Sequence, residues 1–398
     1  MNLWKRWISI SLILRIMFGF IIGVILALYS NIEFINIFGK LFISSLKAIA
    51  PLLVFFTVVT SISKYKVEHK DKMKRVIFLY LLGTFISAFI AVVANFVFKL
   101  TIKLDGIATE NLDAPEGINE ILLQILNNIV QNPIKALIDG NFIGILFWAI
   151  LFGVCFREVK EVTKDVMLDI SIALSDVVKF IIEFAPFGVM GVVYSNIKEN
   201  SIEVFKDYIL LIFLLVGTML FMALIVNPLI TFIIIRKNPY PLVIKTLKDS
   251  GITAFFTRSS IANISVNLKL CKELGVDKEI YAISIPLGAT INMGGAAITI
   301  TILTLVTANT LGIEVDFLSA ILLSVLATFC ACGASGVSGG SLLLIPLACS
   351  LFGINQDISS KVISIGFIIG VIQDSCETAL NSSTDVLYTV LADYKNKE

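Results

Sequence analysis

Near the C-terminus a largely apolar segment carries Asp374, Glu377, Thr378, Asn381 and Asp385. Asp374, Glu377 or Thr378, Asn381 and Asp385 follow one another by three or four residues, which puts them along one face of a helix, with Asp385 almost directly below Asp374. Such a stripe on a membrane helix costs several kcal/mol of desolvation unless it faces a cavity, an ion or a partner. The other reading is a helix that has left the bilayer as an amphipathic tail. Three more polar clusters lie upstream: Arg258-Ser259-Ser260, Asn292 within Gly288–Gly295, and the run Gly333–Gly340. Serine hydroxyls and half-helix N-termini suit a carboxylate, while Asp and Asn with freed carbonyls suit an alkali cation. An ammonium group needs a carboxylate, and Asp374 can supply it. A zwitterion moving with a cation satisfies all four clusters together. Taken singly, each has a plainer reading: Ser259-Ser260 as a helix cap, the glycine run as a packing surface, Asn292 as interhelical glue.

The elements that must position these groups are membrane helices. Of 398 residues, 57% are hydrophobic and 15% charged, which no soluble domain of this size requires. The run 8–28 is too long for a signal-peptide core and lacks a small-residue cleavage site. A net charge of +1 marks no nucleic-acid surface, and no nucleic-acid partner is expected. Six cysteines lie in or beside apolar segments, and His69 is the only histidine. Cys330 and Cys332 therefore complete no zinc site, and the cysteines read as small buried hydrophobes. No cofactor is expected.

In chain order, the expected spans are 8–29, 35–62 (tilted or bent at Pro51), 76–100, a broken span over 118–156, 166–194 with a kink at Ala185-Pro186, and 208–235. The basic stretch Lys64–Arg75 is cytoplasmic by the positive-inside rule, and the acidic loop with Asp105, Glu110, Asp113 and Glu116 external. Both termini are then cytoplasmic. After Pro239 the pattern changes. Arms 242–256 and 261–270 are each too short to cross ~30 Å of hydrocarbon and read as a hairpin entering from the cytoplasm. A seventh span follows, interrupted by Gly288–Gly295. Arms 318–330 and 342–351 form a second hairpin from the outside, and the striped helix comes last. Short, glycine-interrupted segments in matching positions point to a transporter's binding site.

Rival chemistries fit less well. Gly336-Val-Ser338-Gly339 matches the motif of intramembrane serine proteases, but His69 lies in a cytoplasmic loop, away from that tip. Asp374 and Asp385 share one helix about 16 Å apart, whereas an aspartyl protease needs two facing helices. An enzyme is not expected. A channel could also use re-entrant loops, but has no need of an amine-pairing carboxylate beside a serine pair.

Thr257-Arg-Ser-Ser260, Leu287-Gly-Ala-Thr-Ile-Asn-Met293, the Gly333–Gly340 run and Asp374-x3-Thr378-x2-Asn381-x3-Asp385 together resemble the dicarboxylate/amino acid:cation symporters, the glutamate-transporter family. The likeness covers nearly the whole chain and is densest from Ala254 onward. It implies an all-α polytopic membrane protein of the elevator type, with eight transmembrane helices and two re-entrant helical hairpins. It also implies a homotrimer in a bacterial inner membrane. Scaffold helices would occupy residues 1–63 and 118–195. The moving unit would be residues 76–100, 205–237 and the core 240–398. By the same resemblance, Asp374 would hold the substrate amino group, and Asn381, Thr378 and Ser260 its α-carboxylate, beside Arg258 and Ser259. One sodium site would use the backbone of Gly288, Asn292 and Asn381 with the Asp385 carboxylate. A second would use carbonyls of Thr290, Ala331, Cys332 and Ala334.

The departures from that family set the substrate expected here. Where acidic-substrate members carry an arginine for the second carboxylate, this chain has Glu377; their supporting aspartate and threonine are Gly370 and Ala296. A glutamate would repel a carboxylate, so a small neutral amino acid is expected. A hydroxyl donating to Glu377 points to serine or threonine, as in the serine/threonine:sodium symporter branch. Glu377 could instead pair permanently with Arg258. The family's Asn-Met-Asp is Asn292-Met293-Gly294, and its span-three Tyr-x2-Thr-Ser is Tyr80-x2-Gly83-Thr84. A third sodium site thus loses a carboxylate and a hydroxyl, and fewer sodium ions should accompany each substrate. The expectation is sodium-driven symport of serine and threonine, with proton coupling through Glu377 as the alternative and a channel of the same fold behind it.

Overall fold

A computed structural model of the chain describes residues 10–63, 70–103, 126, 129–200, 204–334 and 339–394, and all their regular structure is helical. His69, the acidic loop, the start of the fourth span, hairpin residues 335–338 and the terminal lysines Lys395 and Lys397 lie outside the described residues.

Helix α1 (Leu12–Tyr29) starts at Ser11, whose side chain caps Leu14 N, and α2 spans Ile35–Ser63. Helix α3 is Lys70–Phe98. The fourth span is broken as its polar punctuation requires. Asn132 caps α4 (Pro133–Asp139), Gly140 ends it in the left-handed conformation, and Asn141 caps α5 (Phe142–Cys155). Helices α6 (Glu161–Glu183) and α7 (Ala185–Asn200) meet at a 57° bend beside Pro186, the expected kink.

Helix α8 (Val204–Phe221) passes through a π turn at Met222–Val226 into α9 (Asn227–Ile235). Pro228 explains the turn: without an N–H it cannot bond Leu224 O, and the Tyr240 hydroxyl donates to that carbonyl instead, at 3.3 Å. The first hairpin comprises α10 (Tyr240–Thr246), a second π turn (Leu247–Gly251), α11 (Ile252–Thr257) and the returning α12 (Ile264–Glu273). Its arms are tied by Ser250 Oγ donating to Asn267 Oδ1 at 2.6 Å. The seventh span is α13 (Lys278–Ile291) and α14 (Gly294–Thr310). It is less unwound than the glycines suggest, because the helix runs through Gly288 and breaks only at Asn292 and Met293. Helix α15 (Phe317–Ala331), a 3-10 turn (Gly340–Leu344) and α16 (Ile345–Ser350) form the second hairpin. The Ser319 hydroxyl and backbone donors hold the Asp316 carboxyl at its N-cap below the ordinary aspartate range. Helix α17 runs unbroken from Gln356 to Asp393.

Among the described residues, five helices are long and apolar enough to cross a membrane, six if the bent α6–α7 pair is one span. Packing falls into two groups. In one, α7 lies against α1 and α2, and α2 against α5 and α6; the buried Arg15 joins α1 to Glu183 of α6 at 2.6 Å. In the other, α17 is surrounded by α3, α8, both hairpins and α13–α14. The groups touch where the Phe42 and Phe367 rings meet at 5.0 Å and where Gln356 donates to the carbonyls of Asp139 and Gly140. Leu14, Phe18, Phe180, Phe213 and Ile233 are exposed, as lipid-facing positions should be.

Small residues set the α7 contacts. A Cβ on Gly191 would stand 2.4 Å from Gly39 N and 2.7 Å from Ile35 O, backbone atoms that cannot step aside. Gly191→Ala is therefore expected to destabilise the fold by about 1–3 kcal/mol. Gly217→Ala, whose Cβ meets nothing within 4 Å, serves as the control. Thermal unfolding in detergent checks this: equal melting temperatures for the two variants would contradict the packing described.

Candidate functional site

The polar stripe does not leave the bilayer helix as a tail. Asp374, Glu377, Thr378, Asn381 and Asp385 are all buried inside the group around α17. Both hairpins and the broken seventh span reach them.

The first hairpin delivers Arg258. This residue sits at its tip with φ +52°, a left-handed conformation that non-glycine residues rarely adopt and that closes α11 through Arg258 N and Ala254 O. From there the guanidinium enters the core, where Nε donates to Asp374 Oδ2 at 2.7 Å and Nη2 to Gly370 O at 3.3 Å. The second hairpin meets the same carboxylate, with Gly339 N donating to Asp374 Oδ1 at 3.2 Å. Both Asp374 oxygens are thus engaged. Of the two alternatives for Arg258, its carboxylate partner is Asp374, because the hairpin tip meets α17 nearly one helical turn before Glu377. Gly370 contributes here through its carbonyl, and a Cβ there would meet nothing within 4 Å.

Glu377 has its own surroundings. Its Oε2 accepts from Gln373 Nε2 at 2.5 Å, Thr299 Oγ1 at 2.7 Å and Ser341 Oγ at 2.8 Å. Gly295 admits this arrangement, since a Cβ there would lie 2.7 Å from Glu377 O and 2.9 Å from its Cα. Sequence reasoning missed these three donors. Gln373 was legible as the residue one turn before Glu377 on the polar face; Thr299 and Ser341 come from other elements and left no local signal.

Around Asp385, the side chain of Asn292 meets several oxygens of α17. Asn292 Nδ2 donates to Asp385 Oδ1 at 2.8 Å, to Thr384 Oγ1 at 2.9 Å and to Asn381 O at 3.2 Å. Asn292 does join helices, then, and it gathers the oxygens of Asn381 and Asp385 about one point. Gly288 closes the cradle, for a Cβ there would stand 2.6 Å from Asp385 Oδ1 and 2.8 Å from the Tyr80 hydroxyl. Tyr80 lies 2.8 Å from Thr389 Oγ1 and 3.1 Å from Asp385 O. Asp385 Oδ2 is fully buried and has no hydrogen-bond partner among the described residues, the arrangement a bound cation would satisfy.

The remaining candidates are placed as follows. Asn381 Oδ1 accepts from Gly295 N at 2.7 Å, and its Nδ2 lies 3.4 Å from Met293 Sδ. Thr378 Oγ1 bonds back to Asp374 O at 2.8 Å, and Ser260 is buried. Ser259 Oγ accepts from Ala262 N in the turn that precedes α12, whose N-cap position is Asn263 rather than either serine. Thr290 Oγ1 donates to Leu287 O. Cys332 Sγ approaches Ile291 O at 3.6 Å, so the second hairpin meets the end of α13. Ala331 O accepts from Ala334 N, and Ala334 O lies against Gly340.

A bundle of apolar helices thus buries a guanidinium and three carboxylates against two short hairpins. The chain belongs to the sodium:dicarboxylate symporter family, whose sequence pattern matches residues 9–395. It is a transporter, not an enzyme. Among its relatives are proteins named serine/threonine transporter SstT from Streptococcus agalactiae serotypes III, Ia and V. Each is 56% identical over 390 residues, covering 98% of this chain and 97% of the relative.

The Arg258–Asp374 pair is buried on both sides, so removing one partner strands a charge. Arg258→Met is expected to cost about 3–5 kcal/mol, and the double change with Asp374→Leu substantially less. Unfolding of the purified proteins in detergent checks this; a double variant no more stable than Arg258→Met would contradict the pairing.

Proposed function

We propose that this chain drives uptake of small neutral amino acids, serine and threonine foremost, by symport with sodium. The observation that carries the reading is the charge balance of the buried site, in which one guanidinium faces three carboxylates. Asp385 has a single donor, Asn292, and a second oxygen without one. Positive charge must enter with the substrate, and an alkali cation among carbonyls and a carboxylate meets that need. The name of the relatives supports serine and threonine as the substrates. So does Glu377, which repels a second carboxylate and accepts from a hydroxyl.

In this reading Asp385 and the backbone of Gly288, Asn292 and Asn381 hold one sodium ion. Carbonyls of Thr290, Ala331, Cys332 and Ala334 hold another. The third site of acidic-substrate members is lost. The place of a Cβ on Gly294 is 2.7 Å from Ser87 Oγ, and that of a Cβ on Gly83 is 2.4 Å from the Tyr388 ring, which supports fewer ions per substrate. The substrate ammonium displaces Arg258 or Gly339 from Asp374. Its carboxylate is received by Ser260, Thr378 and Asn381. The two packing groups act as scaffold and moving unit of an elevator with eight spans and two hairpins. The carrier works as a homotrimer in a bacterial inner membrane with both termini cytoplasmic.

Reconstituted vesicles should accumulate labelled serine only under an inward sodium gradient, with threonine competing and aspartate not. Equal uptake driven by a pH gradient in sodium-free buffer would overturn the assignment. Asp385→Asn should raise the sodium concentration for half-maximal uptake by about ten-fold, the equivalent of about 1.4 kcal/mol. An unchanged sodium dependence would remove Asp385 from the ion site.

A further inference from the structure

Three donors reach one oxygen of Glu377, and they come from three different places. Gln373 precedes it by one turn on α17, Thr299 stands on α14, and Ser341 lies on the returning arm of the second hairpin. Thr299, Ser341 and Gln373 are themselves buried, at 0%, 1% and 0% exposure. Gln373 Nε2 also lies 2.7 Å from Thr299 Oγ1, so the donors form a connected set. A carboxyl group with three donors on Oε2 cannot rotate about its last bond without breaking all three. Glu377 Oε1 accepts no hydrogen bond among the described residues. Its position is nevertheless fixed, because Oε2 is.

We infer that Gln373, Thr299 and Ser341 are specificity-determining residues that hold Glu377 Oε1 as a single fixed acceptor for the hydroxyl of the substrate. This rests on the sodium-coupled serine/threonine reading above and deepens it. An acceptor held in place penalises a substrate that cannot donate, because the bound substrate then covers Oε1 without pairing it. Alanine lacks the donor, and aspartate adds a like charge. A short side chain carrying a hydroxyl satisfies the position. Ser341 adds a second consequence: the second hairpin must be seated on α17 for the acceptor to be fixed, so selection and seating of that hairpin occur together.

Removing donors should loosen the carboxyl group and erode selection without touching the sodium sites. The test measures half-saturating concentrations of serine and alanine for uptake into vesicles holding the full chain. The variants are Ser341→Ala, Thr299→Val and Gln373→Met. In each, the preference for serine over alanine should fall by about ten-fold, as expected for loss of a hydrogen bond to a charged group, while the sodium dependence stays as in the unaltered protein. Ser341→Thr and Thr299→Ser, which keep the donor, should restore the preference. An unchanged serine-to-alanine ratio in variants that still transport would overturn the inference, as would an equal loss for both substrates not relieved by the donor-keeping changes. If the unaltered protein shows no sodium-driven serine uptake, the underlying reading fails instead, and the two failures are told apart by that control.

Discussion

Three carboxylates and one guanidinium share the interior of a bundle otherwise built of apolar helices, and nearly every local feature near them serves to make that burial tolerable. Burying an uncompensated charge costs far more than a packing contact returns. Arg258 takes a strained backbone conformation at a hairpin tip to reach Asp374. Gly295 and Gly288 surrender side chains so that Glu377 and Asp385 can be approached by backbone. Three donors converge on Glu377. Asp385 Oδ2 is left without a donor among the described residues, and the reading of this protein as a sodium carrier turns on that deficit.

The arrangement also links substrate to motion. Asp374 receives a donor from each hairpin, and Glu377 receives one from the second. Beyond their apolar packing in the core, both hairpins reach α17 through polar contacts to the residues proposed to bind substrate. A substrate that replaces Arg258 or Gly339 at Asp374 changes what the hairpins rest on. Four buried polar residues, Ser250, Asn263, Asn267 and Ser382, fasten the first hairpin to α17 by a further network.

Much of this was legible in the residues themselves. The stripe of five polar groups, the short arms after Pro239 and the interruption near Asn292 are local patterns, and the helices form where those patterns place them. Proline and asparagine marked the breaks at Asn132, Asn141 and Pro186 because caps and missing donors act within one turn. What escaped was relational. The partner of Arg258 depends on the height at which a hairpin tip meets another helix, which spacing along the chain does not encode. Thr299 and Ser341 are ordinary residues in apolar helices until Glu377 is beside them. The π turn at Met222–Val226 is traceable to Pro228 only once Tyr240 is seen to bond the carbonyl that Pro228 leaves free.

The central claim is that cation and amino acid occupy the buried site together. It is tested most directly by equilibrium binding of labelled serine to the purified protein over a range of sodium concentrations, with choline keeping ionic strength constant. The account predicts that serine affinity falls steeply as sodium is withdrawn, as the reciprocal linkage of two co-bound ligands requires. Serine binding of equal strength with and without sodium would contradict it.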